Sequence, residues 1–265
     1  MDGSIHTHPT GAAQTQATIA WLAQRRGDYG FDAPYVPIIL GTIGIVLLSV
    51  GAVSAWVLQF TLVAVICFVY AIFMLASTAS YVYTTRVGKF RVWAEVLARL
   101  GLRGDVRVVD LGCGRGAVLL MAAKLLPEGK AFGVDLWKSS DQSGNTPDVA
   151  RRNAEREGVA DRVELVTGDL RSLPFADASF DVALSSLAIH NISDETGRAK
   201  AIDEAVRVLK PGGRLAIADF RSTQFYADHL RQLGMSDVRL RRLGWRFWYG
   251  GPWGATTLVS ATKPE

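Results

Sequence analysis

Val108-Val109-Asp110-Leu111-Gly112-Cys113-Gly114-Arg115-Gly116 reads as a β-branched strand that ends in an acid and runs straight into a glycine-rich turn. A buried strand finishing in Asp belongs at the carboxyl edge of a parallel sheet. Three glycines let the chain reverse at once, turn backbone N–H groups toward a ligand and open a helix. Two further acids follow at the spacing of successive strand–helix units. Asp135 ends Ala131-Phe132-Gly133-Val134, where a carboxylate can take both hydroxyls of a ribose. Asp169 ends Val163-Glu164-Leu165-Val166-Thr167-Gly168 and offers an acceptor to an exocyclic adenine amine. Three acids on three strand ends make an edge suited to a nucleoside.

The glycine turn alone fits two chemistries. Gly112, Gly114 and Ala117 also satisfy the G-x-G-x-x-G/A fingerprint of dinucleotide-binding oxidoreductases. Asp110 argues against that reading, because a carboxylate there would repel a pyrophosphate. Phe180-Asp181-Val182-Ala183-Leu184 and Val208-Leu209-Lys210-Pro211-Gly212-Gly213-Arg214-Leu215 add a fourth strand and a turn into a fifth. With these motifs in order, the chain from about Lys89 onward resembles the class I S-adenosylmethionine-dependent methyltransferases. Within them it is most similar to the small-molecule branch that methylates quinones. The resemblance implies an α/β fold with a Rossmann-like sheet of order 3-2-1-4-5-7-6, its last strand antiparallel. It implies S-adenosyl-L-methionine as cofactor, with Asp110, Gly112, Gly114 and Gly116 around the methionine moiety and Asp110 taking its ammonium group. It also places Asp135 at the ribose, and Asp169 with Leu170 at the adenine. Leu136 and Trp137 follow the ribose acid, where a flat or apolar side chain can cover the adenine; core packing is the other reading of Trp137. Ser185 ends the fourth strand, close to the methionine portion.

Periodicity supplies the remaining elements. An amphipathic helix is expected over Phe90–Leu102, then strands near Val106–Leu111, Ala131–Asp135, Val163–Thr167, Asp181–Ser185 and Arg214–Asp219. Helices are expected over Ala117–Leu126, Pro147–Gly158, Glu195–Leu209 and Gln224–Leu233, and a final strand pair over Val238–Leu243 and Thr256–Ala261.

From Ala33 to Thr85 the chain carries no charged residue. Val36–Ala55 and Trp56–Ser77 each have the ~20 residues needed to span a hydrocarbon core. Gly41, Gly44, Gly51 and Ser54 are small residues that let such helices approach closely. A buried hairpin in a soluble fold is the competing reading, but a domain of this type has no room for so long an apolar insertion. A cleaved signal peptide does not suit a stretch that starts this late and continues into a second span. Arg25 and Arg26 precede the hairpin and Arg86, Lys89 and Arg91 follow it, so both flanks, both termini and the catalytic domain are expected in the cytoplasm. The expected turn, Ser54–Gln59, lies outside. Cys67 and Cys113 sit in a span and in the glycine turn, a usage that suits a reducing compartment. The expected organisation is an N-terminal segment 1–32, a transmembrane hairpin 33–85 and a methyltransferase domain 86–265. Within the first, Ala17–Arg26 can form a short helix on the membrane surface or a solvated tail.

Methyl transfer from a sulfonium is an in-line displacement, so alignment and exclusion of water come first. Holding the reactants contributes ~7–11 kcal/mol, and a positioned base about 10²–10⁴-fold. His190 and Asn191 follow the fourth strand at the mouth where the methyl would point. His190 is a candidate base or substrate contact, and Asn191 a candidate for orienting the substrate; a helix-capping or packing histidine is the plain alternative. Lys138–Gly144 is a polar loop suited to a lid. Trp245, Trp248 and Tyr249 belong to an aromatic loop that reads as packing between the last strands, a wall for a greasy substrate, or an interfacial anchor beside Arg241, Arg242 and Arg246. No metal is expected. The net charge of +4 needs no nucleic-acid partner, since no such module is visible. Together these features describe an integral membrane methyltransferase acting on an O, N or C atom of a small amphipathic or lipophilic molecule. The alternative is a non-catalytic cofactor-binding membrane module that recruits or regulates a partner.

Overall fold

A computed structural model describes residues 11–265. In chain order the helices are α1 (Gly11–Ala23), α2 (Tyr35–Trp56), α3 (Thr61–Tyr83), α4 (Lys89–Leu100), α5 (Ala117–Lys124), α6 (Pro147–Glu157), α7 (Glu195–Val208) and α8 (Thr223–Gln232). The strands are β1 (Arg107–Leu111), β2 (Lys130–Asp135), β3 (Val163–Thr167), β4 (Phe180–Ser186), β5 (Leu209–Asp219), β6 (Ser236–Arg242) and β7 (Thr257–Thr262). They form one sheet of order β3-β2-β1-β4-β5-β7-β6. The first five strands are mutually parallel, and β7 runs antiparallel to both β5 and β6, as the resemblance implies. Apolar side chains bury both faces. One core joins β1 to α1, α4 and α5, and the other joins β4 and β5 to α7 and α8.

Local chemistry sets the element ends. Thr146 caps α6 by accepting the Val149 N–H, with Pro147 in the first turn where its missing N–H costs nothing. Asp194 caps α7 through the Gly197 N–H at 2.6 Å. Lys210-Pro211-Gly212-Gly213, expected to be a turn, instead lies inside β5. Pairing with β4 jumps from Phe180–Leu209 to Val182–Arg214, so these residues bulge outward and the proline faces no ladder acceptor.

Helices α2 and α3 form an antiparallel hairpin closed by Val57–Phe60. Its seam is built from small residues: Gly44, Gly51 and Ser54 of α2 against Ala64, Cys67 and Ala71 of α3. A Cβ at Gly44 would meet Leu75 at 2.9 Å and one at Gly51 would meet Phe68 at 2.9 Å, so both glycines set the helix spacing. The outer faces carry Ile38, Ile45, Leu62, Val69 and Ile72, all exposed. An apolar helix that exposes its bulky side chains is not the core helix of a soluble fold.

The second helix begins at Thr61 rather than Trp56 and extends past Ser77. It passes through a π-helical turn, Thr84–Gly88, directly into α4. The expected separate helix from Phe90 is therefore the far end of one helix spanning Thr61–Leu100. The β6–β7 loop grips this junction. Ser80 and Thr84 donate their hydroxyls to the Trp248 carbonyl at 3.2 and 2.7 Å. A Cβ at Gly88 would collide with the backbone of Arg246, so glycine permits the approach.

The segment before the hairpin is neither a surface helix alone nor a solvated tail. Leu22 is fully buried, and α1 packs along α4 with Ile19 and Ala23 on the same core. Beyond it the chain is strapped across α6. The Arg26 and Gly27 N–H groups donate to Glu157 Oε1 at 2.7 and 2.9 Å, and the Asp28 N–H donates to Asn153 Oδ1 at 2.8 Å. A helix of this length is marginal alone, so tertiary burial of Leu22 has to hold it. Leu22→Ala is expected to destabilise the globular domain by about 2–5 kcal/mol, read by urea unfolding of tryptophan fluorescence. A change within error would return this segment to the solvent.

Candidate cofactor and acceptor cavity

A cavity of about 340 Å³ opens where β1, β2 and β4 end. Asp110 reaches it from β1 and is almost wholly buried, yet neither carboxylate oxygen has a hydrogen-bond partner. Burial pushes its pKa up to about 7, the charge of Asp135 adding to the rise. The backbone N–H of Leu119 offsets part of this without closing a hydrogen bond. An orphaned buried carboxylate is costly unless a cationic donor completes it.

Gly112 turns out of β1 with φ +78°, and a Cβ there would collide with Ala188, so the loop passes close beneath the chain leaving β4. Its N–H groups do not face a ligand, contrary to the sequence reading. Those of Gly112 and Cys113 donate to the Val134 carbonyl, that of Gly114 to Asp135 Oδ2 at 2.8 Å, and that of Arg115 to Gln142 Oε1 at 2.8 Å. The end of β2 supplies nearer acceptors, and the N–H groups fix the loop to it. Gly112 and Gly114 line the cavity; Gly116 starts α5 with φ +88° and is not on the wall.

Asp135 lies on the wall and also accepts from the Trp137 N–H at 2.6 Å and from Asn145 Nδ2 at 3.1 Å. Burial raises its pKa despite these donors. Leu136 projects into the opening. Trp137 turns away, with φ +59° and its indole N–H donating to Thr167 Oγ1 at 2.8 Å. It does not line the cavity. Asp169 and Leu170 do, but Arg171 grips the Asp169 carboxylate at 2.6 Å and holds its pKa below the usual value. Ser185 is fully buried and donates to the Leu111 carbonyl at 2.8 Å, tying β4 to β1; the next residue, Ser186, is the one that reaches the cavity.

Beyond β4, Asn191 is on the wall and His190 is not. The His190 ring packs edge-on to Phe220 at 4.6 Å. Its Nδ1 lies 2.8 Å from Asp219 Oδ1, at an angle that makes no hydrogen bond. The aromatic loop is also elsewhere. Trp245 stacks on Tyr83 at 5.3 Å, Trp253 meets Phe73 at 4.9 Å, and Trp248 contributes its carbonyl to the helix junction. Phe247 is buried in the core, and Tyr249, itself off the cavity wall, donates its hydroxyl to the wall residue Asp32 at Oδ2, 2.8 Å away. Burial first, then the Asp32 charge, raises the Tyr249 pKa and keeps it a donor.

Asp32, Lys89, Trp93, Asn145 and Arg171 line the cavity outside every motif singled out in the sequence, and Gln142 lines it from the polar loop Lys138–Gly144. Two of them left a trace. Asp32 is the last charge before the apolar run, and Lys89 is the one cation on the apolar face of α4, four residues before Trp93.

Sheet order and acid edge define the class I methyltransferase fold. Residues 109–217 match the methyltransferase domain family. Ubiquinone/menaquinone biosynthesis C-methyltransferase UbiE of Roseobacter denitrificans is 37% identical over 135 residues, 51% of this chain and 50% of the relative. The chain thus spans about half the length of the curated relatives it matches. Among solved structures, the [4+2]-cyclase SpnF aligns with a TM-score of 0.54 at 22% identity, over 66% of this chain and 82% of the other. A SAM-dependent methyltransferase from Aquifex aeolicus aligns with a TM-score of 0.51 at 22% identity, over 64% and 88%. These two structures show likeness of fold. Residues 109–217 thus match a methyltransferase domain on the class I fold, and S-adenosylmethionine is the cofactor that this match implies.

The residues present fit that cofactor. The orphaned oxygens of Asp110 suit the methionine ammonium, and Asp135 lies beside them with a raised pKa of its own. The pKa of Asp110 sets a sign. Its folded value is raised, so its protonated form is favoured up to about pH 7 and a cationic ligand must displace that proton below it. Cofactor affinity is expected to rise from pH 5.5 to 8 by up to about tenfold per unit below pH 7, with proton uptake by buffer during binding at pH 6. Calorimetry in two buffers checks this. Asp110→Asn should flatten the profile; an unchanged profile would remove Asp110 from the ammonium site.

Proposed function

We propose that this protein is an integral membrane methyltransferase that transfers the methyl group of S-adenosylmethionine to an O, N or C atom of a small amphipathic or lipophilic acceptor. The quinone named for the UbiE relative is one such acceptor. One observation carries the reading: the cavity stands at the base of the hairpin. Asp32 lines it three residues before α2 begins, and Lys89 and Trp93 line it from the helix that continues α3. An acceptor dissolved in the bilayer thus meets the cavity where the helices leave the membrane. The arginines at the hairpin base, Arg25, Arg26, Arg86 and Arg91, and the uncharged tip put that base on the cytoplasmic side. Lipid is the proposed surrounding of the outer faces.

Within this reading Asp110 takes the ammonium, Asp135 the ribose hydroxyls, and Leu136 with Leu170 encloses the adenine. Asp169 reaches the adenine amine only while shared with Arg171. Bound cofactor supplies an electrophilic methyl on a sulfonium, and the protein's part is to hold donor and acceptor in line away from water. His190 lies off the cavity wall, so positioning rather than an imidazole base accounts for the rate.

Membranes containing the full chain, given methyl-labelled S-adenosylmethionine and a bacterial lipid extract, are expected to place label in the solvent-extractable fraction. Cofactor binding without transfer across a broad acceptor panel would instead indicate a recruiting module. His190→Ala is expected to lower turnover less than about tenfold. A loss of 10² or more with cofactor affinity intact would reinstate it as the base.

A further inference from the structure

Buried Lys89 and partly buried Asp32 form an ion pair on the cavity wall, away from the acids of the cofactor edge. Lys89 is 5% exposed, and its ammonium donates to both oxygens of Asp32 at 2.8 Å. Asp32 also accepts from Gln142 Nε2 at 3.0 Å and from the Tyr249 hydroxyl at 2.8 Å. Three donors, making four hydrogen bonds, occupy the good acceptor positions of this carboxylate, which leaves it little to offer an incoming proton or amine. Lys89 is in the opposite state. Two of its three hydrogens are on Asp32, and the third has no protein acceptor among the described residues. Nearby, Ser186 Oγ accepts the Trp93 indole N–H at 2.9 Å, and its own hydrogen also has no acceptor among them. Trp93, Val118, Met121 and Leu187 supply apolar wall. This end of the cavity therefore offers unused donors, one of them cationic, in a largely apolar setting.

We propose that Lys89 positions the methyl acceptor by binding its oxygen in the ionised form, phenolate or enolate, with Ser186 as second donor. Asp32 holds the ammonium in place. The proposal rests on the methyltransferase reading and narrows it. An amine acceptor would have its lone pair engaged by Lys89 and its attack blocked, whereas an oxyanion keeps lone pairs free and enriches the carbon beside it. On binding, the acceptor's hydroxyl proton leaves to solvent. The methyl–sulfur bond then breaks as the methyl–oxygen or methyl–carbon bond forms, and the sulfonium becomes a neutral thioether. Where carbon is methylated, the hydrogen on that carbon leaves to water as the ring regains aromaticity. Both members of the pair stand beside the spans, so the anchor itself builds the acceptor site.

The probe is 4-nitrophenol carrying a nonyl chain, titrated by absorbance on the full chain in nanodiscs with S-adenosylhomocysteine present. Wild type is expected to lower the bound phenol's pKa by at least about one unit, tenfold in the phenolate-to-phenol ratio. Lys89→Arg should keep most of the shift and Lys89→Met should lose it. The double variant Lys89→Met/Asp32→Asn leaves no uncompensated buried charge and should bind S-adenosylhomocysteine as wild type does, without the shift. Phenol bound by wild type with no shift overturns the proposal, as does a shift that persists in both Met variants. Loss of cofactor binding in both assigns the pair to structure alone and also overturns it. Methyl transfer is measured in parallel: no transfer to any acceptor with the phenolate shift intact would remove the enzyme reading and leave the anion subsite standing.

Discussion

The carboxylate of Asp32 gathers donors from three separate parts of the chain: Lys89 of α4, Gln142 of the loop after β2, and Tyr249 of the β6–β7 loop. Its backbone carbonyl takes a fourth part, accepting the Tyr81 hydroxyl of α3 at 2.9 Å. A charge buried this far needs such company, because desolvating an ion pair costs more than one contact returns. Entry to α2, exit from α3 and the covering loop are thereby tied to a single residue. The hairpin and the methyltransferase sheet meet here as one packed body.

The same logic shapes the cofactor edge in the opposite sense. Asp110 is buried more deeply than Asp32 but is left without partners. One carboxylate is completed by the protein and the other awaits a ligand. The loop between them reports on both: Gln142 holds Asp32 with its amide nitrogen and the Arg115 N–H with its amide oxygen. The loop pairs further with the strap, the Phe31 N–H donating to Ser143 Oγ and the Ser143 N–H to the Phe31 carbonyl. Ordering the cofactor side and ordering the hairpin side are linked through one short segment.

Much of this is legible in the amino-acid sequence itself. Strand ends at Asp110 and Asp135, the sheet order implied by the resemblance and the uncharged run all read directly, since they depend on local patterns of period two or on composition. What did not read depends on residues distant in sequence. Trp137 had a plausible place over the adenine, but a positive φ and a hydrogen bond to Thr167 turn it outward. His190 had the right position after β4, yet Asp219 and Phe220 draw its ring aside. Trp245 and Trp248 looked equally suited to substrate and to the interface; contacts with Tyr83, Ser80 and Thr84 place them at the helix junction. The strap over residues 24–32 was invisible because Glu157 and Asn153, which hold it, lie more than a hundred residues away.

The π turn at Thr84–Gly88 sets a rotational phase between two helical faces. Upstream of it, α3 must present small residues to α2; downstream, α4 must present Lys89 and Trp93 to the cavity. One residue added or removed in a helix rotates everything beyond it by ~100°. A change of length between the last seam residue and Lys89 would therefore aim the ammonium at the core or away from the protein, whatever its effect on the hairpin seam. The turn at Val57–Phe60 carries no such relation, because both helices are already committed when they reach it. Length can vary at the distal tip of this hairpin and is fixed at its base, so the hairpin is geared to the site by angle as well as attached to it.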